Sequence, residues 1–300
     1  MNILKNRAIE LTIQRIDKDN TTDLKVFTDL NVKFSYTKYV GATMYGKGSI
    51  SICGLDRKTL DKLISFASAG EVLEEKKIIK LKAGYDDKLS LIIDGSIMSA
   101  MPTMPPDVWL NCEVINSYEL QKKHLNLTIE EGLSLQNYSQ LVADTIGVSL
   151  EMRIKNSDYL NKKMSGKSFS GNVFQLANSI TQAFCFDKTT DKYGKVVAYI
   201  EGDTLIVDYS NLSANDERTA NPILINKDTG MVGLPEMSMA GKLVNITTLL
   251  NPAIKTGDVI KLESEQIKSA NGLYYVQGIT YTGEFRGTAW YSTLTCWRLK

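Results

Sequence analysis

Alternation of apolar and polar residues dominates the segment from Gly241 to Trp297 and predicts β structure throughout it. Val, Ile, Thr, Tyr and Trp recur at every second position, which is the period of a half-buried strand. Turn residues such as Asn271-Gly272 separate the apolar runs, because glycine adopts positive φ at low cost. Three strands are predicted: Val259–Leu262, Leu273–Tyr281 and Trp290–Trp297.

The last of these predicted strands has bulky side chains on both faces. The even-numbered residues from Trp290 to Cys296 lie on one face, and the odd-numbered residues from Tyr291 to Trp297 lie on the other. A strand face that met only water would be mostly polar. We therefore expect this strand to be covered on both faces, either within a barrel or between a barrel and a partner.

A similar order of segments occurs in the N-terminal third of the chain. The matching pairs are Ile79-Lys80-Leu81 with Ile260-Lys261-Leu262, Leu91–Ile97 with Tyr274–Ile279, Trp109 with Trp290, and Cys112 with Cys296. Loop lengths differ between the two sets, and identical residues are few. Either the chain contains a duplicated fold, or two unrelated β units share common strand residues.

Between the two β-rich parts, helical and strand periods alternate. Helices are predicted at Ser134–Ile146, ended by Gly147, and at Ser170–Phe184. Strands are predicted at Leu125–Ile129, Val148–Ile154, Val196–Ile200 and Leu205–Tyr209. The N-terminal part adds a strand at Ala8–Ile16 and a helix at 56–66 that is capped by Asp56. The chain is thus predicted to comprise a β part at 1–116, an α+β insert at 117–228 and a second β part at 229–300.

The composition changes this picture little, since 43% hydrophobic and 23% charged residues are ordinary values for a globular protein. A formal net charge of +1 argues against a generally basic nucleic-acid binder. The lysine cluster at Lys76, Lys77, Lys80 and Lys82 is typical of a solvated strand edge, although a local basic surface is the alternative. No segment has the pattern of a membrane span or secretory leader, so we expect no membrane partner and a chain made in the cytoplasm.

Candidate catalytic chemistry is sparse. The single histidine, His124, is not part of a nucleophile motif, and Gly166-Lys167-Ser168 lacks the earlier glycine of a phosphate loop because Asn161 stands there. The acidic pairs Glu130-Glu131 and Glu74-Glu75 are adjacent residues, which point apart on a strand. The cysteines fit no metal-ligand spacing and are expected to be free thiols: Cys53, Cys112, Cys185 and Cys296. We predict no catalytic residue, no cofactor and no metal site.

Several segments occur along the chain in a fixed order. ISICGLDRKTLDKL and IIKLKAGYDDKLSLIIDGSI precede the insert, and LLNPAIKTGDVIKLES follows it, before a Gly-Ile strand and the turn Arg286-Gly287-x-x-Trp290. Together they resemble the hub protein of contractile-tailed bacteriophage baseplates, over nearly the whole chain. Cys53-Gly54-Leu55 departs from that family, in which Asn often precedes Leu.

The resemblance implies an α+β, mainly β fold with two similar β-barrel tube domains in one chain and an α+β domain inserted between them. It also implies a homotrimer in the virion, where six similar units adapt the sixfold tail tube to a threefold central spike. DNA would pass through the ring, and the insert would contact other baseplate proteins.

Four residues are expected at subunit or ring contacts: Trp109, Arg286, Tyr291 and Thr293. Tryptophans at such positions are more typical of core or interface anchors than of ligand platforms. Two alternative functions stay open. One is a phage-associated peptidoglycan hydrolase with its carboxylates in the insert. The other is the hub part of a contractile secretion-system spike.

Overall fold

Strands predominate in this computed structural model, which describes residues 6–16, 22–41, 46–64, 76–116, 120, 123–155, 157–184, 196–209, 212 and 217–299. The strands of the first part are β1 (Arg7–Ile16), β2 (Thr22–Phe27), β3 (Asn31–Tyr39), β4 (Lys47–Cys53), β5 (Lys76–Tyr85), β6 (Lys88–Pro102) and β7 (Trp109–Ile115). The last part contains β13 (Ile223–Ile225), β14 (Glu236–Ser238), β15 (Leu243–Leu249), β16 (Val259–Leu262), β17 (Gly272–Glu284) and β18 (Trp290–Arg298). The mainly β, α+β class is therefore confirmed.

The insert contributes the remaining strands and most helices of the described residues. Its strands are β8 (His124–Ile129), β9 (Ser149–Met152), β10 (Lys167–Asn172), β11 (Val196–Glu201) and β12 (Thr204–Tyr209). The helices are α1 (Arg57–Ile64) in the first part, then α2 (Leu135–Ile146), α3 (Ser157–Leu160), α4 (Val173–Phe184) and α5 (Glu217–Ala220).

One large sheet connects the two β-rich parts. Its order is β14-β15-β18-β17-β3-β4-β7-β6-β5-β1-β2, and β16 and β13 branch from β17. A single apolar core lies beneath this sheet and includes Leu11, Ile79, Ile246 and Trp290. The path ends at β14 and β2, so the described strands do not close into a barrel. The two tube-like barrels are not confirmed.

Strand β17 forms the junction, because it changes partner along its length. Residues 272–275 pair with β16, and residues 278–284 pair antiparallel with β3 of the first part. The change coincides with a bulge between Val276 and Gly278 in the ladder with β18. A bulge bends the strand and adds local twist, which lets one strand serve two neighbours in sequence.

A four-strand pattern occurs in each half of the sheet. The orders β4-β7-β6-β5 and β15-β18-β17-β16 are both antiparallel throughout. The third strand of each pattern has a bulge, which lies between Ile97 and Ser99 in β6 and between Val276 and Gly278 in β17. The two halves thus share strand order, direction and the position of an irregularity.

When the two four-strand patterns are aligned at their bulges, each residue of one half has an equivalent in the other, which can be compared with the pairs matched in the sequence. Ile79-Lys80-Leu81 falls on Ile260-Lys261-Leu262, as expected. Trp109 falls on Tyr291, however, and Cys112 falls on Leu294. The tryptophan and cysteine matches were therefore wrong. The cause is that the β17–β18 ladder extends to the pair Gly283 and Trp290, whereas the β6–β7 ladder ends at Pro102 and Leu110. The match of Leu91–Ile97 with Tyr274–Ile279 was also wrong in register, because Ile97 falls on Val276.

The insert has its own core and two small sheets. Strands β8 and β10 form an antiparallel pair, while the hairpin β11–β12 is extended by β9 in parallel. Helices α2 and α4 cover these sheets with their buried faces. Strand β13 follows at Ile223–Ile225 and pairs in parallel with β16 of the second part.

The predicted caps Gly147 and Asp56 are confirmed, and the structure adds Ser134 as an N-cap. Ser134 caps α2 by accepting a hydrogen bond from the Asn137 amide at 3.2 Å, and Gly147 ends the helix with φ of 84°. Asp56 caps α1 by accepting from the Thr59 amide at 2.8 Å. The second helix of the insert begins at Val173 rather than Ser170, because Ser170 lies in β10 and pairs with Asn126 of β8.

Candidate assembly surfaces

The outer face of the large sheet carries a row of threonines that crosses both β-rich parts. Thr247, Thr293, Thr280 and Thr37 are successive neighbours on β15, β18, β17 and β3. Hydroxyl oxygens lie 3.3 Å apart between Thr247 and Thr293 and 3.0 Å apart between Thr37 and Thr280. All four residues are half-buried. The row makes a flat, polar band across the junction between the parts.

Strand β18 has the two-faced character expected from its sequence. Trp290, Ser292, Leu294 and Cys296 are buried in the core, whereas the alternate residues from Tyr291 to Trp297 are half-buried on the outer face. The outer face therefore keeps large side chains partly accessible in the single chain.

Trp109 and Tyr291 occupy equivalent positions on the outer faces of β7 and β18, as the aligned bulges show. Both are half-buried. The Lys33 ammonium lies 5.1 Å from the centre of the Trp109 ring, within the range of a cation–π contact. Lys33 also lies 3.6 Å from a Glu284 carboxylate oxygen. The first tryptophan is thus held at the junction with the second part.

The turn between β17 and β18 is held against the first part. Arg7 of β1 donates to the carbonyl oxygens of Glu284, Gly287 and Thr288 at 2.9, 2.7 and 3.0 Å. Arg286 donates to the Asp29 carbonyl at 2.8 Å from the same turn. Arg286, which was expected at a ring contact, therefore joins the two β-rich parts of one chain.

A buried carboxylate joins the insert to the second part. Asp208 of β12 is fully buried and accepts two hydrogen bonds from the Arg218 guanidinium, at 2.9 and 3.1 Å. Arg153 lies 3.7 Å from the same carboxylate. The Tyr275 hydroxyl of β17 donates to it at 3.2 Å. Burial, and secondarily the Asp208 charge, raises the pKa of Tyr275 well above its ordinary value, so the phenol remains a donor.

Close packing around Asp208 fixes this connection. Gly257 has φ of +88°, and a Cβ there would lie 2.5 Å from an Arg153 nitrogen and 3.1 Å from an Asp208 oxygen. Arg218 also donates to the Gly257 carbonyl at 3.0 Å. A small apolar cluster continues the contact, with Tyr199 and Ile206 from the insert against Val259 and Tyr275. Sequence reasoning missed this network, although an Asp in the apolar run of β12 signals a buried charge that needs partners.

The lysine cluster does not present an open basic face in the described residues. Lys77 is buried and donates to the Leu63 carbonyl at 3.1 Å. Lys82 pairs with Glu10 at 2.7 Å, and Lys80 lies 3.5 Å from Asp94. These three lysines are not at a strand edge either, because β5 lies between β6 and β1 in the sheet.

The candidate catalytic residues of the insert lie at its surface. Glu130, Glu131 and His124 are all exposed. Gly166-Lys167-Ser168 leads into strand β10 rather than into a helix, unlike a phosphate loop. The pair Glu74-Glu75 lies outside the described residues.

Within the described residues, no three His, Cys, Asp or Glu side chains are grouped to hold a metal ion. No helix in this part of the chain is both long and apolar enough to span a membrane. Cys53, Cys112 and Cys296 are free thiols, and burial raises the pKa of Cys112 to about 12, while Cys185 lies outside the described residues.

Comparison with known proteins gives a family and a fold. Residues 9–296 match the sequence profile of a family described as baseplate hub gp41. Comparison with curated proteins finds no match. Among solved structures, the 43 kDa tail protein of prophage MuSo2 from Shewanella oneidensis is similar, with a TM-score of 0.60 and 9% identity over 96% of each chain.

Two further solved structures are similar to this chain. The E. coli c3393 protein, described as a type VI secretion component similar to T4 tail proteins gp27 and gp5, has a TM-score of 0.55 and 9% identity over 90% of this chain and 74% of that one. The half-lidded Francisella PdpA-VgrG complex has a TM-score of 0.58 and 7% identity over 99% of this chain and 59% of that one. At these identities the likeness concerns the fold.

Proposed function

The chain belongs to the baseplate hub gp41 family, and from that membership we propose that it forms a trimeric ring that joins the sixfold tail tube of a phage to its threefold central spike. Membership makes it a bacteriophage tail component and therefore part of the virion. The role is structural, without catalytic residues or a cofactor, and assembly takes place in the host cytoplasm.

The repeated four-strand pattern carries this proposal. A closed ring of three copies has exact threefold symmetry, whereas a sixfold partner needs six similar contact surfaces. A chain with two similar units in tandem supplies six such surfaces from three copies. The orders β4-β7-β6-β5 and β15-β18-β17-β16 provide these two units, with Trp109 and Tyr291 at equivalent outer positions.

The remaining partners follow from the arrangement of the chain. The insert, joined to the second part at Asp208, contacts other baseplate proteins in this proposal. DNA crosses the ring only in transit, and a net charge of +1 suits a channel that does not retain it. The fold likeness to type VI proteins fits the same adaptor role in a contractile secretion system, which is the second candidate.

Light scattering and negative-stain imaging of the purified chain test the proposal. We expect a mass of three chains and a ring with a central hole. A stable monomer that clears a peptidoglycan suspension would contradict it, especially if the double variant E130Q/E131Q lost that activity. Those two exposed glutamates are the carboxylates on which the hydrolase alternative depends.

A further inference from the structure

Several strand edges have no strand partner within the described residues, and two of them adjoin the repeated four-strand patterns. One is the outer edge of β14, which pairs only with β15. The other is the far part of β6, from Ser99 to Pro102, which pairs with β7 but lies beyond the end of the β5 ladder at Ser96. The equivalent part of β17 is paired on both sides, to β18 and to β3.

The repeat relates these two edges to the junction inside the chain. Strand β14 is the counterpart of β3, because each pairs with the first strand of one four-strand pattern. Met237 of β14 lies opposite Val244 of β15, and Tyr36 of β3 lies opposite Gly48, the equivalent residue of β4. The far part of β6 is the counterpart of residues 278–284 of β17. Since β17 joins β3 within one chain, the same geometry would join β6 of one copy to β14 of the next.

The side chains at these two edges are more exposed than their counterparts at the internal junction. Tyr36 and Tyr281 face each other at the internal junction and are only 0% and 4% exposed. Their counterparts are Met237, which is 37% exposed, and Pro102, which is also exposed. Positions that are core at the internal junction are therefore uncovered at the two free edges.

Exposed apolar residues are concentrated at the same places. Of the eleven large apolar side chains that are exposed in the described residues, five lie at or beside these edges: Met101, Met104, Leu234, Met237 and Met239. Flexible methionine side chains adapt well to a packing partner. Such a concentration marks an interaction surface more strongly than scattered apolar residues would.

Prolines reduce the number of backbone hydrogen bonds that these two strand edges can form with another strand. The Thr103 amide donates to Trp109 of β7, so the alternate position, Pro102, faces the free edge without an N–H donor. Pro235 precedes β14 and has no donor either. The contact must therefore depend on side chains more than the internal junction does, and the prolines protect both edges against indiscriminate strand addition.

We propose that copies of this chain associate head to tail, with the β14 edge of one copy against the Ser99–Pro102 edge of the next. The contact between copies then repeats the β17–β3 junction. The occupant of each edge is a second copy of the chain. The inference rests on the proposed trimeric ring and adds the surfaces that close it. Three copies alternate internal and external junctions around six units.

Cysteine cross-linking tests the register directly. Met101 and Ser238 are the counterparts of Thr280 and Thr37, whose hydroxyls lie 3.0 Å apart. Directly opposed residues of an antiparallel pair lie within disulfide range. Under mild oxidation we expect the double variant M101C/S238C to form covalent species of two and three chains on a denaturing gel. The wild type, each single variant and L141C/S238C, which places one cysteine on α2, should stay as single chains.

A charged substitution tests the contact without a covalent bond. Met237 and Leu141 are each 37% exposed, so M237K and L141K add the same charge at equal exposure. We expect M237K to weaken trimer association about tenfold and to keep its circular dichroism spectrum, while L141K assembles like the wild type.

The two proposals fail in different ways. A trimer by light scattering that gives no M101C/S238C cross-link, or that tolerates M237K, would overturn the edge contact and leave the hub intact. Cross-linking of M101C alone to the same extent would mean a two-fold contact and would also overturn it. A chain that stays monomeric and uncross-linked at every concentration would overturn both.

Discussion

Asp208 joins the insert to the second β-rich part. Its carboxylate is fully buried and is neutralised by a bidentate pair with Arg218 and by the nearby Arg153. A buried ion pair contributes little net stability compared with apolar packing, but the loss of one partner leaves the other charge unpaired in a poorly solvated place. The network therefore defines the docking geometry more than it adds to stability.

The substitution D208N should lower the free energy of unfolding by about 3–5 kcal/mol, because two guanidinium groups would lose their buried counter-charge. Urea denaturation followed by circular dichroism measures this change. The matched control is E217Q, which removes a carboxylate from an ion pair with Lys155 whose side chains are 82% and 84% exposed. That change should cost less than about 1 kcal/mol. Equal losses in both variants would show that Asp208 does not act as a buried charge.

At the scale of single residues, the sequence predicted helix caps well and long-range hydrogen-bond partners poorly. Gly147 and Asp56 could be identified as caps because a cap bonds within its own turn. The contacts of Arg7 and Asp208 could not be identified, because their partners are distant in the sequence. Glu284 is 277 residues from Arg7, and Tyr275 is 67 residues from Asp208. The interface roles of Trp109, Tyr291 and Thr293 stay predictions.

Among the elements, helix α1 is tied to β2 through its cap. Asp56 accepts hydrogen bonds from the side chain and amide of Thr59 and pairs with Lys25 at 3.1 Å. These hydrogen bonds, first that of the Thr59 side chain, hold the pKa of Asp56 well below its ordinary value. Lys62 at the end of the helix pairs with Asp23 of the same strand at 2.6 Å.

Acidification should therefore destabilise this region. A carboxylate whose folded pKa is lowered contributes stability above its unfolded pKa of about 3.9, and that contribution is lost as the pH falls below this value. We expect D56N to show a smaller decrease of the melting temperature than the wild type as the pH falls below about 4, since Asn still caps but carries no charge. D61N, at an exposed carboxylate of the same helix, should follow the wild type. An identical acid slope in D56N and the wild type would refute this role.

Elements with a clear period were predicted within a few residues, while those decided by a partner were not. Strand β18 and helix α2 match their predicted ranges closely. Strand β10 was missed because its residues, Lys167–Asn172, are mostly polar and lack a clear alternation, and only pairing with β8 makes them a strand. The unequal lengths of the β17–β18 and β6–β7 ladders were also invisible in the sequence, and this difference misaligned the tryptophans and cysteines of the two halves.

For the whole molecule, the outer face of β18 provides the sharpest test of assembly. Tyr291 and Thr293 point away from the core and are half-buried. We expect the double variant Y291E/T293E to keep its secondary structure and to lose ring formation, as judged by negative-stain imaging and light scattering. W109E, at the position equivalent to Tyr291, should give the same defect.

The control is T128E, which adds a charge at an exposed position of β8 in the insert. This variant should assemble normally, because its site lies away from the large sheet. Normal rings from Y291E/T293E would remove this face from the set of contacts, and loss of its circular dichroism signal would mean that the residues serve folding instead.

The pairing of β3 with β17 also bears on how the chain is made. Thr37 and its partner Thr280 are 243 residues apart. At a synthesis rate of about 5–20 residues per second, the ribosome needs roughly 12–50 s to produce the second strand after the first. During that time the nascent first unit exposes the β3 edge, which is a hazard for aggregation. A translation pause within the insert would lengthen this exposure, so a chaperone that covers strand edges would raise the yield of the protein.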